Sequence, residues 1–380
     1  MKKDTKIKDF SGEALSSFID TLPDGTQKMS ALSDAIRGAD AANDPYWRLL
    51  FRADYACQAV FHDDAPKAIP MAAEFNAILK QYPDALPEEL LVFSHLLIMQ
   101  TAIEPMSDLP QIPLSEWKQL IDEFQTLTER YQLGERTYWA QMARFWQYID
   151  KEKAFAYLKK SWSTPRDDMS DCEACEYSYA VHLSLLFGDR EAAERYAKPL
   201  KEHTVEYCED TPKLMWLAYL EDALRRGDLT EAEPLAAKLY GRTNADKSEL
   251  HYLAAVLHCW AYTDLHKALE QIPLYVDWAL SMWDQKTKYD FCKASWICFH
   301  ELSQKQNSIS LPFSAQFPLY QKDSVYNSAE LAQWFYTQAE QIAQRFDARN
   351  DSDYFKQDLA HVHLPVSYTH LRAHETCADL

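Results

Sequence analysis

The feature that most narrows the fold of this chain is a turn that recurs four times at nearly even spacing. Polar breaks interrupt helical apolar segments at Tyr148-Ile149-Asp150, Phe187-Gly188-Asp189, Arg226-Gly227-Asp228 and Tyr262-Thr263-Asp264, so the aspartates stand 39, 39 and 36 residues apart. Four residues after each aspartate comes an alanine: Ala154, Ala193, Ala232 and Ala268. Twelve residues before each comes an aromatic: Tyr138, Tyr177, Trp216 and Tyr252. Repetition at such a period marks stacked supersecondary units that share one core.

Each position has a physical role. Gly188 and Gly227 can end a helix by entering the left-handed region at little cost. The aspartate that follows can cap the next helix by accepting backbone N–H bonds, and its charge suits a helix N-terminus. The alanine, one turn further on, lets two helices approach closely. Every period therefore reads as one antiparallel helical hairpin. Only seven glycines occur in 380 residues, far below the ordinary share of about 7%. Tight-turn-rich sheets and glycine-rich phosphate loops are disfavoured, and the chain is expected to be all-α without significant β-sheet.

Over residues 135–280 the pattern resembles the tetratricopeptide repeat, which has an aromatic in the first turn of helix A, Gly-Asp at the turn and Ala in helix B. It departs in carrying Met142, Val181, Leu220 and Val256 in mid-helix A, where the family has a small residue. Its period also exceeds the family's 34 or so residues, and the proline usual near a repeat's end is missing. The resemblance implies a right-handed α-solenoid whose inner helices line a concave face. By offset from the turn aspartates, that face takes Trp139, Ala143, Trp146, Ser178, His182 and Leu185, then Leu217, Glu221, Leu224, Leu253, Leu257 and Trp260. One branch of the family clamps C-terminal carboxylates with Lys and Asn there, and none of these is Lys or Asn. An apolar groove with tryptophan anchors suits an amphipathic helix or an extended hydrophobic peptide.

The remaining organisation is coarser. Residues 1–44 are expected to form a helical, partly flexible segment and 45–304 the repeat array. Residues 305–327, with Pro312 and Pro318, form a linker, and 328–363 a C-terminal helical segment. Beyond Leu364 the periodicity stops. Pro365 to Thr376 resembles translated sequencing-adapter read-through, so 364–380 is expected to be non-native or disordered, with a further domain in the natural protein.

The formal net charge of −19 disfavours nucleic acid, whose phosphates supply most of the affinity in such complexes. The run Lys2, Lys3, Lys6 and Lys8 reads as a solvated terminus, no apolar stretch reads as a membrane span, and the expected compartment is the cytoplasm. Cys57, Cys259, Cys292 and Cys298 sit in apolar helical segments and read as small buried hydrophobes. Cys172 and Cys175 have metal-like spacing, and His203 and Cys208 end the same hairpin; the preferred reading is partly buried thiols at a helix start, with no metal and no cofactor. His95, His182, His251 and His258 read as core or groove histidines. No catalytic signature is found, so the expected function is a non-catalytic protein- or peptide-binding scaffold. The alternatives are a peptide- or ligand-sensing regulatory module and, less favoured, an enzyme, for which His182 and Glu221 are the pair to inspect.

Overall fold

A computed structural model describes residues 10–61, 64–208, 210–244 and 246–362. The basic run at Lys2–Lys8 and the segment from Leu364 onward lie outside the described residues. The chain divides into two compact units, one ending at Ser170 and the other beginning at Asp171. The division falls inside the stretch read as one array, not at the linker.

The first unit contains α1 (Gly12–Asp20), α2 (Thr26–Ala42), α3 (Pro45–Phe61), α4 (Ala68–Gln81), α5 (Glu88–Ile103), α6 (Leu114–Tyr131), α7 (Glu135–Trp146) and α8 (Lys151–Ser163). Each packs on its neighbour in sequence, and α3 also packs on α5. One cluster gathers Ile19, Leu32, Ile36 and Phe51 where α1 and α2 meet α3. A larger one gathers Phe75, Leu96, Met99, Ile121, Phe124, Met142 and Phe145. The sequence reading finds no membrane span, yet Glu88–Asp108 qualifies by length and composition; 61% of that window is buried inside the unit, as expected of a core helix.

The second unit contains α9 (Glu173–Leu186), α10 (Arg190–Lys201), α11 (Lys213–Arg225), α12 (Leu229–Tyr240), α13 (Leu250–Thr263), α14 (Leu265–Ser281) and α15 (Gln285–Ser303). After them come β1 (Ser308–Ser310), β2 (Val325–Asn327), α16 (Ser328–Asn350) and α17 (Tyr354–Ala360). Helices α9, α11, α13 and α15 pack on one another in order; α10 packs on α9, and α12 and α14 each pack on the two that flank them in sequence. The result is an all-α fold of solenoid type, with two layers of consecutively paired helices.

The four turn aspartates all cap helices. Asp150, Asp189, Asp228 and Asp264 accept the backbone N–H of Lys153, Ala192, Glu231 and Lys267 at 3.1, 2.9, 3.1 and 3.2 Å. The four alanines that follow are fully buried. Two kinds of turn emerge. At Gly188 and Gly227, φ is 79° and 70°, and the backbone closes the Schellman pattern, with Asp189 N–H to Ser184 C=O and Asp228 N–H to Ala223 C=O. The other two turns lack glycine and carry a tryptophan four residues before the aspartate and a lysine three after it. Lys153 places its ammonium 4.1 Å from the Trp146 ring and Lys267 lies 3.9 Å from that of Trp260, a cation–π clasp across the turn.

Residues 305–327, expected to form a linker loop, carry two short strands. β1 and β2 pair antiparallel with Ile309 opposite Tyr326, and this two-stranded ribbon is the sheet found among the described residues. Phe313 and Phe317 are buried, and Phe317 stacks at 6.1 Å from Phe335 on α16. Aromatic burial outweighs the turn-forming prolines, so the segment belongs to the core of its unit.

Candidate functional site

The residues expected to line an open groove separate into two groups. Leu253, Leu257 and Trp260 are buried, at 3, 1 and 5% exposure. That corrects the expectation for α13. The Cys298 thiol on α15 reaches the Leu257 carbonyl at 3.6 Å, while Tyr240 and Lys267 cover the Trp260 ring. These side chains are core. In the first unit Trp146 is clasped by Lys153. Trp139 stacks parallel to Tyr157 at 5.8 Å, lies under Lys160 and donates to Glu135 at 3.0 Å, so its own hairpin already engages it. It still borders a cleft with Gln125, Glu129, Thr164 and Arg166.

His182, Leu217 and Glu221 remain partly open. His182 on α9 and Glu221 on α11 stand with Nδ1 3.7 Å from Oε2, their side chains 27% and 30% exposed. The pair singled out in the sequence is therefore brought together, and it has company. His182 lies within electrostatic reach of Arg225 on α11 and of Lys286 and Asp290 on α15. Helices α9 and α15 are not neighbours in their layer, so this proximity requires the layer to curve, with these side chains on its hollow side. His258 on α13 feels Lys293 and Asp358, and Tyr354 on α17 feels Asp358, Lys286, Arg225 and Glu221. Five helices thus contribute to one polar cluster.

The cluster is organised by ion pairs. Lys286 and Asp290 pair at 2.6 Å within α15. Lys293 reaches Asp358 of α17 at 2.7 Å, and the Tyr289 hydroxyl donates to the same carboxylate at 2.6 Å. Arg225 donates to the Leu185 carbonyl at 3.0 Å, closing the C-terminus of α9. Burial opposes the charge of Asp358, but Lys293 and Tyr289 outweigh it and hold the carboxyl at about 2. Burial raises Asp290 above the usual carboxylate range. Burial, helped by Arg225 and Lys286, pushes His182 down to about 3; burial and Lys293 do the same to His258. Both imidazoles are neutral at physiological pH, able to donate and to accept.

The other histidines are held. His95 bridges Asn76 Oδ1 at 2.8 Å and the Tyr131 hydroxyl at 3.1 Å inside the first unit, as a core histidine should. His251 Nδ1 meets the Ser248 carbonyl at 3.0 Å. Cys259, Cys292 and Cys298 are buried as expected, and Cys57 is partly so.

Sequence reasoning left out Arg225, Lys286, Asp290, Lys293, Tyr354 and Asp358. One signal was legible: Lys286, Asp290 and Lys293 recur at i, i+4 and i+7, a polar stripe along a helix whose remainder is largely apolar. Nothing local marks α17 as the helix that meets it. The chain matches no protein-family model, no curated protein and no solved structure.

Proposed function

We propose that the second unit is a peptide-binding module of tetratricopeptide type, working in the cytoplasm as a non-catalytic interaction scaffold, and that its ligand is a short polar segment with aromatic and acidic side chains. The observation that carries this reading is the convergence of His182, Glu221, Arg225, Lys286, Asp290 and Lys293 on the hollow side of one helical layer. A hollow with cations, anions and neutral imidazoles favours a ligand bearing both charges and hydrogen-bonding groups, which revises the hydrophobic peptide expected from the tryptophans. Helix α17 illustrates the chemistry: its Asp358 meets Lys293 and Tyr289, while Phe355 stands edge-on to Tyr289 at 5.4 Å.

The test is a display of short peptides against the full chain, with binding measured by calorimetry for those selected. Sequences pairing an acidic with an aromatic residue should be enriched, and E221K and K286E should each weaken binding about tenfold or more with helical circular dichroism retained. Enrichment of purely aliphatic peptides, or binding indifferent to both charge reversals, would sink the reading.

An enzymatic reading is favoured by one observation, a depressed histidine beside a carboxylate in a polar hollow, since perturbed groups gather at active sites. It predicts that a screen of hydrolysable esters and amides finds a turnover abolished by H182A. The absence of any such turnover leaves the binding reading alone.

A further inference from the structure

We propose that Cys172, Cys175 and Cys208 form a three-thiolate site for a soft divalent cation of the zinc type, which ties the loop between α10 and α11 to the first turn of α9. The three Sγ atoms all lie within 4.8 Å of one another, although Cys208 is 33 residues from Cys175 in the chain. A Zn–S bond is about 2.3 Å, which places sulfurs around a tetrahedral ion about 3.8 Å apart. The Cys175–Cys208 separation of 3.3 Å and the 4.8 Å limit on the whole group bracket that value, so small side-chain rotations suffice to receive an ion.

The local structure prepares sulfur for this role. Cys172 stands at the N-cap position of α9, where an oxygen side chain is usual, and its Sγ accepts the Cys175 backbone N–H at 3.3 Å. Cys208 Sγ is 3.3 Å from the Thr211 hydroxyl, itself buried. Such outer contacts orient ligand atoms and stabilise thiolate charge. Cys172 is exposed and the other two are partly so, which leaves an entry path for the ion. His203, named with them from the sequence, does not join the group. Among the described residues no fourth histidine, cysteine or carboxylate completes it. Soft thiolates favour zinc over magnesium or calcium. The site is separate from the polar hollow and does not depend on the function proposed for it.

The experiment uses the full chain, purified with a reductant, stripped by a chelator and then titrated with zinc against a chromogenic chelator. One equivalent should be taken up tightly. Cobalt in place of zinc should give a thiolate-to-metal charge-transfer band in the near ultraviolet and strong tetrahedral absorption in the visible. The cobalt spectrum of the unsubstituted chain reports sulfur ligation without any variant having to fold. C175S and C208S should each weaken zinc binding at least about a hundredfold, with helical circular dichroism retained. Failure to take up zinc, uptake without the charge-transfer band, uptake indifferent to both substitutions, or recovery of a metal-free Cys175–Cys208 disulfide from cells would each overturn the proposal.

Discussion

Two histidines placed alike by the sequence end in opposite surroundings. His95, in the first unit, is closed on both ring nitrogens by Asn76 and Tyr131 and is 7% exposed. His182, in the second, faces Glu221 at a loose 3.7 Å and keeps about a quarter of its surface. Both sit in apolar helical runs, and burial depresses both, His95 to about 4 and His182 to about 3. The difference lies in what surrounds them. The first unit spends its polar groups on one another: Arg52, 5% exposed, bridges Asp40 and Glu74, each at 2.8 Å. The second gathers charges round a hollow and leaves part of them facing outward. A depressed histidine alone therefore says little about function; the completeness of its hydrogen bonding separates a structural from a ligand-facing ring.

The strongest way to break this comparison is to remove both rings in parallel. H95A strands the partner groups of Asn76 and Tyr131 and opens a cavity, so it should cost about 3 kcal/mol of stability in urea unfolding. If it proves neutral, the first unit's histidine is not structural. Titration sharpens the same point. His95 holds a proton less readily when folded than when unfolded, so its contribution is complete above the unfolded value of about 6.5. It is lost as pH falls from there toward 4, by as much as about 3 kcal/mol. In H95Q the drop in urea midpoint between pH 6.5 and 4.5 should shrink visibly against wild type.

A smaller effect is expected at the meeting of α15 and α17. D358N keeps the shape but weakens the bonds from Lys293 and Tyr289, for a loss of about 1–2 kcal/mol by thermal melting. The smallest effect should be that of H182A, within about 0.5 kcal/mol of wild type, as for a side chain with no complete bonding network. Its consequence should appear in ligand binding. A loss as large as that of H95A would make His182 structural as well.

Legibility followed locality. The turn aspartates, their cap bonds and the buried alanines were readable because each depends on residues three to five positions away. Trp260 reads as an anchor from the sequence and is buried instead; a local sign existed at both tryptophans, since Lys153 and Lys267 stand seven residues downstream of Trp146 and Trp260, where an ammonium can cover the ring. Leu253 and Leu257 were misread because α15 covers them, and nothing within the repeat announces that helix. The hollow was half legible. His182 and Glu221 came from the repeat offset and the α15 stripe from its spacing, but the approach of α9 to α15 and the seat of α17 depend on the curvature of the whole layer. The cysteine triad was legible in its residues and hidden in its geometry, since its third member lies in a loop.

The self-contained turns bear on how the chain acquires its shape. Each aspartate finds its donor three residues ahead, and each helix meets a sequence neighbour first, so closing any one hairpin requires only a short loop. Architectures dominated by such nearby pairings reach the native state quickly and by several routes, because any hairpin can serve as the seed on which the next one grows. In pulse-labelled hydrogen exchange the amides around Asp189 and Asp228 should therefore gain protection early, ahead of those in α17, whose partners on α15 lie some 65 residues away.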